Sequence, residues 1–192
     1  MPLPLRLAIV IGTTGEARFG EVLAQWVAGE ADRFGSFSVG VLDLLDPVAV
    51  PRQPLPGARP GPEMAAFRQA VGEAEAYIIV TPEYNHGYPA GLKHAIDQTS
   101  GEWAGKPIAY VSYGGMSGGL RAVEQLRQVM VEMHAVNIRE GLSFHGARRT
   151  FGEDGRPLDL VPTEAAAQAM LKRLAWWARV LRKARAEDPY WA

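Results

Sequence analysis

Residues 5–20 read LRLAIVIGTTGEARFG, and they decide the fold. Leu5 to Ile11 is a nearly continuous apolar run closed by Gly12, the pattern of a strand buried on both faces of a parallel sheet. A glycine-containing loop follows. Then Phe19, Val22, Leu23, Trp26 and Val27 recur on one face at helical spacing. Strand, loop and helix in that order make the first half of a βαβ unit.

Working outward, similar apolar runs occupy Ser38 to Leu42, Ala76 to Thr81 and Pro107 to Ser112, with a weaker fifth at Val136 to Ile138. Helical patterns separate them. Glu63 to Glu75 is opened by a proline suited to a first turn, Tyr88 to Gln98 is shorter, and Val123, Leu126, Met130 and Met133 share a face. A last helix runs from Thr163, a candidate N-cap, to about Ala186. It carries Met170, Leu174, Trp177 and Leu181 on one side, widened by Trp176 and Val180. Such alternation implies right-handed crossovers, hence an α/β fold: a doubly wound five-stranded parallel sheet with helices on both faces. One domain over residues 1–192 is expected. Ligands in such folds sit beyond the carboxyl ends of the strands. Pro47 to Pro62, crowded with proline and glycine, reads as a long surface loop, either a connector or a rim of a pocket or subunit contact.

Composition narrows the chemistry. The formal net charge of −1 offers no broad attraction to nucleic acid or anionic lipid. With no cysteine there is no thiolate nucleophile, disulfide or cysteine-ligated metal, so any redox chemistry must be borrowed from a cofactor. The first residues lack a cleavage site, and no run approaches the roughly 18 apolar residues that cross a bilayer. A cytoplasmic protein with neither membrane nor nucleic acid as partner is expected. His86 and His94 have no third ligand at a recognisable spacing, so no metal is expected.

Three loops carry the chemistry. In Gly12 to Gly20 the hydroxyls of Thr13 and Thr14, the N–H groups of a helix start and Arg18 can converge on a phosphate monoester. The loop lacks the lysine of a P-loop and the G-x-G-x-x-G of a dinucleotide fingerprint. Asp43, near the end of strand two, is either a ribose-binding acid or a turn residue. The second loop, TPEYNHGYPAGLKHAID from Thr81 to Asp97, ends its strand at Pro82 and offers Tyr84, Asn85 and Tyr88 to a flat heterocycle. The third, Ser112 to Arg127, pairs Tyr113 with Gly114 and Gly115 and then Gly118 and Gly119, so backbone N–H groups can approach a ligand closely.

Together these loops resemble those of the NADPH-dependent FMN reductase family, a flavodoxin-like group that includes quinone, azo-dye and chromate reductases. The resemblance covers Leu5 to Met133 and is most specific in T-P-E-Y-N-H-x-Y-P-x-x-L-K-x-A-I-D. It implies that Thr13, Thr14, Arg18, Phe19 and Gly20 hold the FMN phosphate. Pro82, Glu83, Tyr84 and Asn85 would line one side of the ring and ribityl chain, and Tyr113, Gly114, Gly115 and Ser117 its pyrimidine end. The implied activity passes a hydride from NADPH or NADH to FMN, then electrons to a quinone, flavin or other small oxidant, with no catalytic side chain required. The alternative is a flavin-binding electron carrier with no nicotinamide site. The resemblance also implies a homodimer or homotetramer. One departure stands out: Gly15 and Ala17 occupy positions where the family's first loop commonly has arginine and glycine, which bears on phosphate affinity and on NADPH against NADH.

Overall fold

The computed structural model describes residues 3–13, 18–44 and 62–191, with the backbone alone for 62–64. The elements run β1 (Leu5–Ile11), α1 (Phe19–Phe34), β2 (Phe37–Asp43), α2 (Pro62–Glu73), β3 (Ala76–Pro82), α3 (Ala90–Asp97), β4 (Pro107–Gly114), α4 (Leu120–Glu132), β5 (Val136–Asn137), β6 (Leu142–His145) and α5 (Leu160–Glu187). Every strand pairing is parallel, in the order β2-β1-β3-β4, with β5 and β6 both on the far side of β4. This is the flavodoxin-like arrangement, with its topological switch between β1 and β3.

The two-residue period of a strand divides the core. Leu5, Leu7, Ile9 and Ile11 of β1, with Ile78 and Val80 of β3 and Val111 of β4, pack beneath α1 and α5. Ala8, Val10, Tyr77, Ile79, Ile108 and Tyr110 pack on the opposite face beneath α2, α3 and α4. Continuous apolar runs are therefore required of β1, β3 and β4, each covered on both sides.

Three details depart from the sequence reading. Strand β2 is an edge strand, not one buried on both faces: it has β1 on one side only, and Val41 is 49% exposed. The fifth strand position is shared by two short strands. Val136 pairs with Pro107 and Leu142 with Val111, so the register slips by two residues between them. Helix α5 begins at Leu160 with Asp159 as its N-cap residue. Thr163 lies inside the first turn, donating from Oγ1 to the Asp159 carbonyl at 2.6 Å, while Pro162 sits where a missing N–H costs nothing. The expected loop from Pro47 to Pro62 lies outside the described residues as far as 61, and Pro62 opens α2. Among the described residues no helix is long and apolar enough to cross a membrane.

Candidate functional site

Strands β1, β3, β4 and β6 all point their carboxyl ends at one side of the sheet, so the loops that follow them gather there by topology alone. A cavity of about 430 Å3 opens between them, lined from the three expected loops by Arg18, Phe19, Pro82, Glu83, Tyr84, Tyr113, Gly114 and Gly115. That volume falls within the roughly 300–1,000 Å3 of ordinary cofactor sites. Gly146, Ala147, Arg148 and Arg149, which follow β6, complete the wall.

At the base of the first loop, Thr13 is fully buried and Arg18 nearly so. The Arg18 guanidinium is largely spoken for: Nη1 donates to the Thr13 carbonyl at 2.8 Å, Nη2 to Asp43 at 2.6 Å, and a further bond reaches Glu21. Asp43 is thereby an arginine partner and not an open ribose acid. Thr13 Oγ1 and Arg18 Nε are both buried and, among the described residues, have no hydrogen-bond partner. Thr14, Gly15 and Ala17 lie outside the described residues. Gly20 sits behind the wall, where a Cβ would come within 3.0 Å of the Tyr113 hydroxyl.

The second loop forms a two-residue hairpin turn. Tyr84 and Gly87 exchange N–H···O bonds of 2.9 and 3.1 Å, and Asn85 and His86 between them have φ of 48° and 75°. Positive φ at both centres is the I′ geometry, which asparagine tolerates better than most residues. Asn85 is consequently an exposed turn tip that does not line the cavity, whereas Tyr84 does, at 53% exposure.

Glu83 and Ser117 meet each other. The Glu83 carboxylate, its side chain 5% exposed, accepts from the Ser117 hydroxyl at 2.7 Å, the Arg121 backbone N–H at 3.2 Å and the Arg121 side chain at 2.5 Å. Burial opposes its ionisation, but the bonds from Ser117 and Arg121 outweigh that and hold the carboxyl below its ordinary value. These contacts tie the second loop to the start of α4.

Tyr113 is buried, its ring edge-on to Phe19 with centroids 5.7 Å apart. Burial is the main cause of a phenol pushed up to about 12, so it stays neutral through the working range. The carbonyls of Gly114 and Gly115 both accept from the Gly146 N–H, at 2.8 and 3.0 Å. This stapling brings the fourth loop to the cavity. Sequence reasoning missed Gly146 to Arg149; the available signal was the alternation of Leu142 and Phe144 with Ser143 and His145, ending in glycine and two cations.

FMN needs an anion site, a flat slot and close backbone, and the arrangement fits that chemistry. Two buried donors without partners lie at the α1 start, the slot runs between Pro82–Tyr84 and Tyr113–Gly115, and a Cβ on Gly115 would meet nothing within 4 Å.

Comparison with known proteins agrees with this geometry. A relative from Schizosaccharomyces pombe, an NAD(P)H-dependent FMN reductase, is 34% identical over 130 residues, 65% of this chain and 64% of its own length. The chain thus spans less than two thirds of that relative in the matched region. A probable NADPH:quinone oxidoreductase of Oryza sativa subsp. japonica is 31% identical over 191 residues, covering 93% of this chain and 95% of the relative. Among solved structures, the flavoenzyme NAD(P)H:(acceptor) oxidoreductase FerB from Paracoccus denitrificans superposes with a TM-score of 0.73 at 21% identity, covering 91% of this chain and 97% of that one. It speaks for the fold alone. The model of the NADPH-dependent FMN reductase family matches residues 5–148, three quarters of the chain and all three loops read from the sequence, and the chain belongs to that family.

Proposed function

We propose that this chain is an FMN-dependent oxidoreductase that uses NADPH or NADH to reduce a small acceptor of the quinone type. The observation that carries the proposal is the convergence of the three loops on one cavity, lined by Arg18 and Phe19 from the first, Pro82 to Tyr84 from the second and Tyr113 to Gly115 from the third. The names of the relatives, FMN reductases and quinone oxidoreductases, support it.

When bound, FMN supplies a redox centre that can accept a hydride from a reduced nicotinamide and pass electrons to an acceptor. The chain's own task is to bind and orient. Thr13 and Arg18 Nε, with the Thr14 hydroxyl, would hold the phosphate near the positive end of α1. Phe19 and Tyr113 form an apolar floor, Pro82 and Tyr84 one flank, and Gly114 and Gly115 admit the ring edge close to backbone. Glu83 and Ser117 would act by fixing the second loop against the third, and Asn85 by setting the turn that presents Tyr84. None of these groups is needed to carry a proton, in keeping with a neutral Tyr113 and a Glu83 already satisfied as a carboxylate.

We also assign the chain to the cytoplasm, over one domain of residues 1–192, as a homodimer or homotetramer. The half-exposed Trp176 and Val180 of α5 offer apolar area for such a contact; light scattering on the purified protein tests it.

The functional test is an anaerobic titration of FMN-loaded protein with NADPH and with NADH, followed by steady-state turnover with a quinone. Bleaching of the flavin by either nucleotide and its recovery on adding quinone is the expected result. FMN binding with no bleaching by either nucleotide would make the chain an electron carrier, and failure to bind FMN would remove the proposal altogether.

A further inference from the structure

The third loop is held through its carbonyls. Those of Gly114 and Gly115 accept from the Gly146 N–H, that of Met116 lies 2.8 Å from His145 Nδ1, and that of Gly118 accepts from the Ser112 and Ser143 hydroxyls at 2.8 and 2.9 Å. A carbonyl has no proton to give, so His145 Nδ1 is the donor and the neutral ring is the Nδ1–H tautomer. Its Nε2 lies 3.5 Å from Ser143 Oγ. Packing seats the ring as well. Gly118 has φ of 61°, and a Cβ there would come within 2.7 Å of His145 Nε2 and would also strike the Ser143 hydroxyl.

The peptides of this loop are trans, so each N–H points opposite to the carbonyl before it. With the carbonyls of Gly114, Gly115 and Met116 drawn to Gly146 and His145, the N–H groups of Gly115, Met116 and Ser117 face away from the end of β6. Among the described residues none of the three has a hydrogen-bond acceptor. Successive open N–H groups favour negative charge beside them. Gly115 lines the cavity, and a Cβ on it would meet nothing within 4 Å.

We propose that His145 is a positioning residue for the third loop: its bond to the Met116 carbonyl sets the plane of the Met116–Ser117 peptide and so fixes the open N–H groups beside the ring of a bound flavin. The inference rests on reading the cavity as the FMN site. His145 is not part of the cavity lining and acts through the loop. Reduction places negative charge on the pyrimidine side of a flavin, so donors fixed beforehand favour the reduced form over the oxidised one. Phenylalanine at this position keeps a ring and removes the donor, whereas asparagine keeps an N–H near the place of Nδ1.

Dye-equilibrated photoreduction gives the midpoint potential of bound FMN, and fluorescence titration its dissociation constant, for the wild-type protein, His145→Phe and His145→Asn. The expected result is that His145→Phe holds oxidised FMN within about threefold of wild type but reduced FMN roughly tenfold more weakly, which lowers the two-electron potential by about 30 mV. His145→Asn should restore most of that shift. An unchanged potential, or equal weakening of both redox forms, would overturn the proposal, since a merely structural contact loosens both alike. Proton–nitrogen NMR of the wild-type protein reads the imidazole tautomer without any variant: Nδ1–H is expected with and without FMN, and Nε2–H would overturn the proposal even where His145→Phe failed to fold. A wild-type protein that shows the Nδ1–H tautomer yet binds no FMN would refute the cavity reading, and this inference with it.

Discussion

At the amino-terminal edge of the sheet the Lys106 ammonium, in a residue 8% exposed, donates to the Gly72 carbonyl at 2.6 Å and lies 3.3 Å from the Tyr77 hydroxyl, which itself donates to Val71 at 2.6 Å. At the carboxyl edge Arg18 Nε is as deeply buried, yet among the described residues it has no hydrogen-bond partner. The first edge closes its polar network within the chain and serves the fold; the second gathers three loops around a cavity and serves a ligand. Of the described residues with an unpartnered buried atom, Thr13, Arg18, Trp26 and Gln98, Arg18 lines that cavity, so the lesson lies in the coincidence of cavity and converging loops.

The largest expected effect is on folding, from within the ligand edge. Gly119 has φ of 85°, and a Cβ there would come within 2.7 Å of Ser112 Cβ and 2.8 Å of the Tyr113 nitrogen. Gly119→Ala should cost about 3 kcal/mol, lowering Tm by roughly 6–12 °C in thermal unfolding. An unchanged Tm would show that the third loop is soft.

The opposite edge supplies a pH signature. Desolvation by burial, helped by Arg185, pushes the Lys106 ammonium down to about 8 from 10.5. The unfolded chain thus binds more protons than the folded one between those values, and stability should rise with pH across that window. Relative to Lys106→Met, the wild-type protein should gain on the order of 2 kcal/mol from about pH 8 to about pH 10.5 in urea titrations. A flat difference would mean the ammonium is solvated.

A smaller change is expected where the two kinds of polar chemistry meet. Glu83→Gln should cost about 1 kcal/mol at neutral pH, since Glu83 accepts charge-assisted bonds from Arg121. Because the folded carboxyl titrates below its ordinary value of 4.5, that contribution is present above 4.5 and lost as the pH falls through the lowered value, so the gap should close in acid. The smallest effect on stability belongs to Gly115→Ala, under about 0.5 kcal/mol, because a Cβ there has open space. Its methyl would stand in the cavity, so FMN affinity in fluorescence titration should nonetheless fall roughly tenfold. Gly119 and Gly115 separate fold from ligand within one loop.

Much of this was legible in the residues. β1 was readable to its ends because a run of seven, apolar but for Arg6, is covered on both faces over most of its length. β3 and β4 extend further than their apolar runs, since Pro82 still pairs in register with Tyr113. β6 was not legible: its four residues alternate with Ser143 and His145 and follow a register slip that only the partner strand reveals. With it went Arg148 and Arg149. The Glu83 bond to Arg121 spans 38 positions along the chain, beyond any local pattern, so the clamp between the second and third loops was not legible in the sequence.

The central claim is that four segments from separate strands close on one flavin, and hydrogen–deuterium exchange of the protein with and without FMN tests it most directly. Slower exchange should appear together at Thr13 to Gly20, Pro82 to Asn85, Gly114 to Ser117 and Gly146 to Arg149, with the amino-terminal edge around Lys106 unchanged. Protection confined to other segments, or to one of these four alone, would contradict the account.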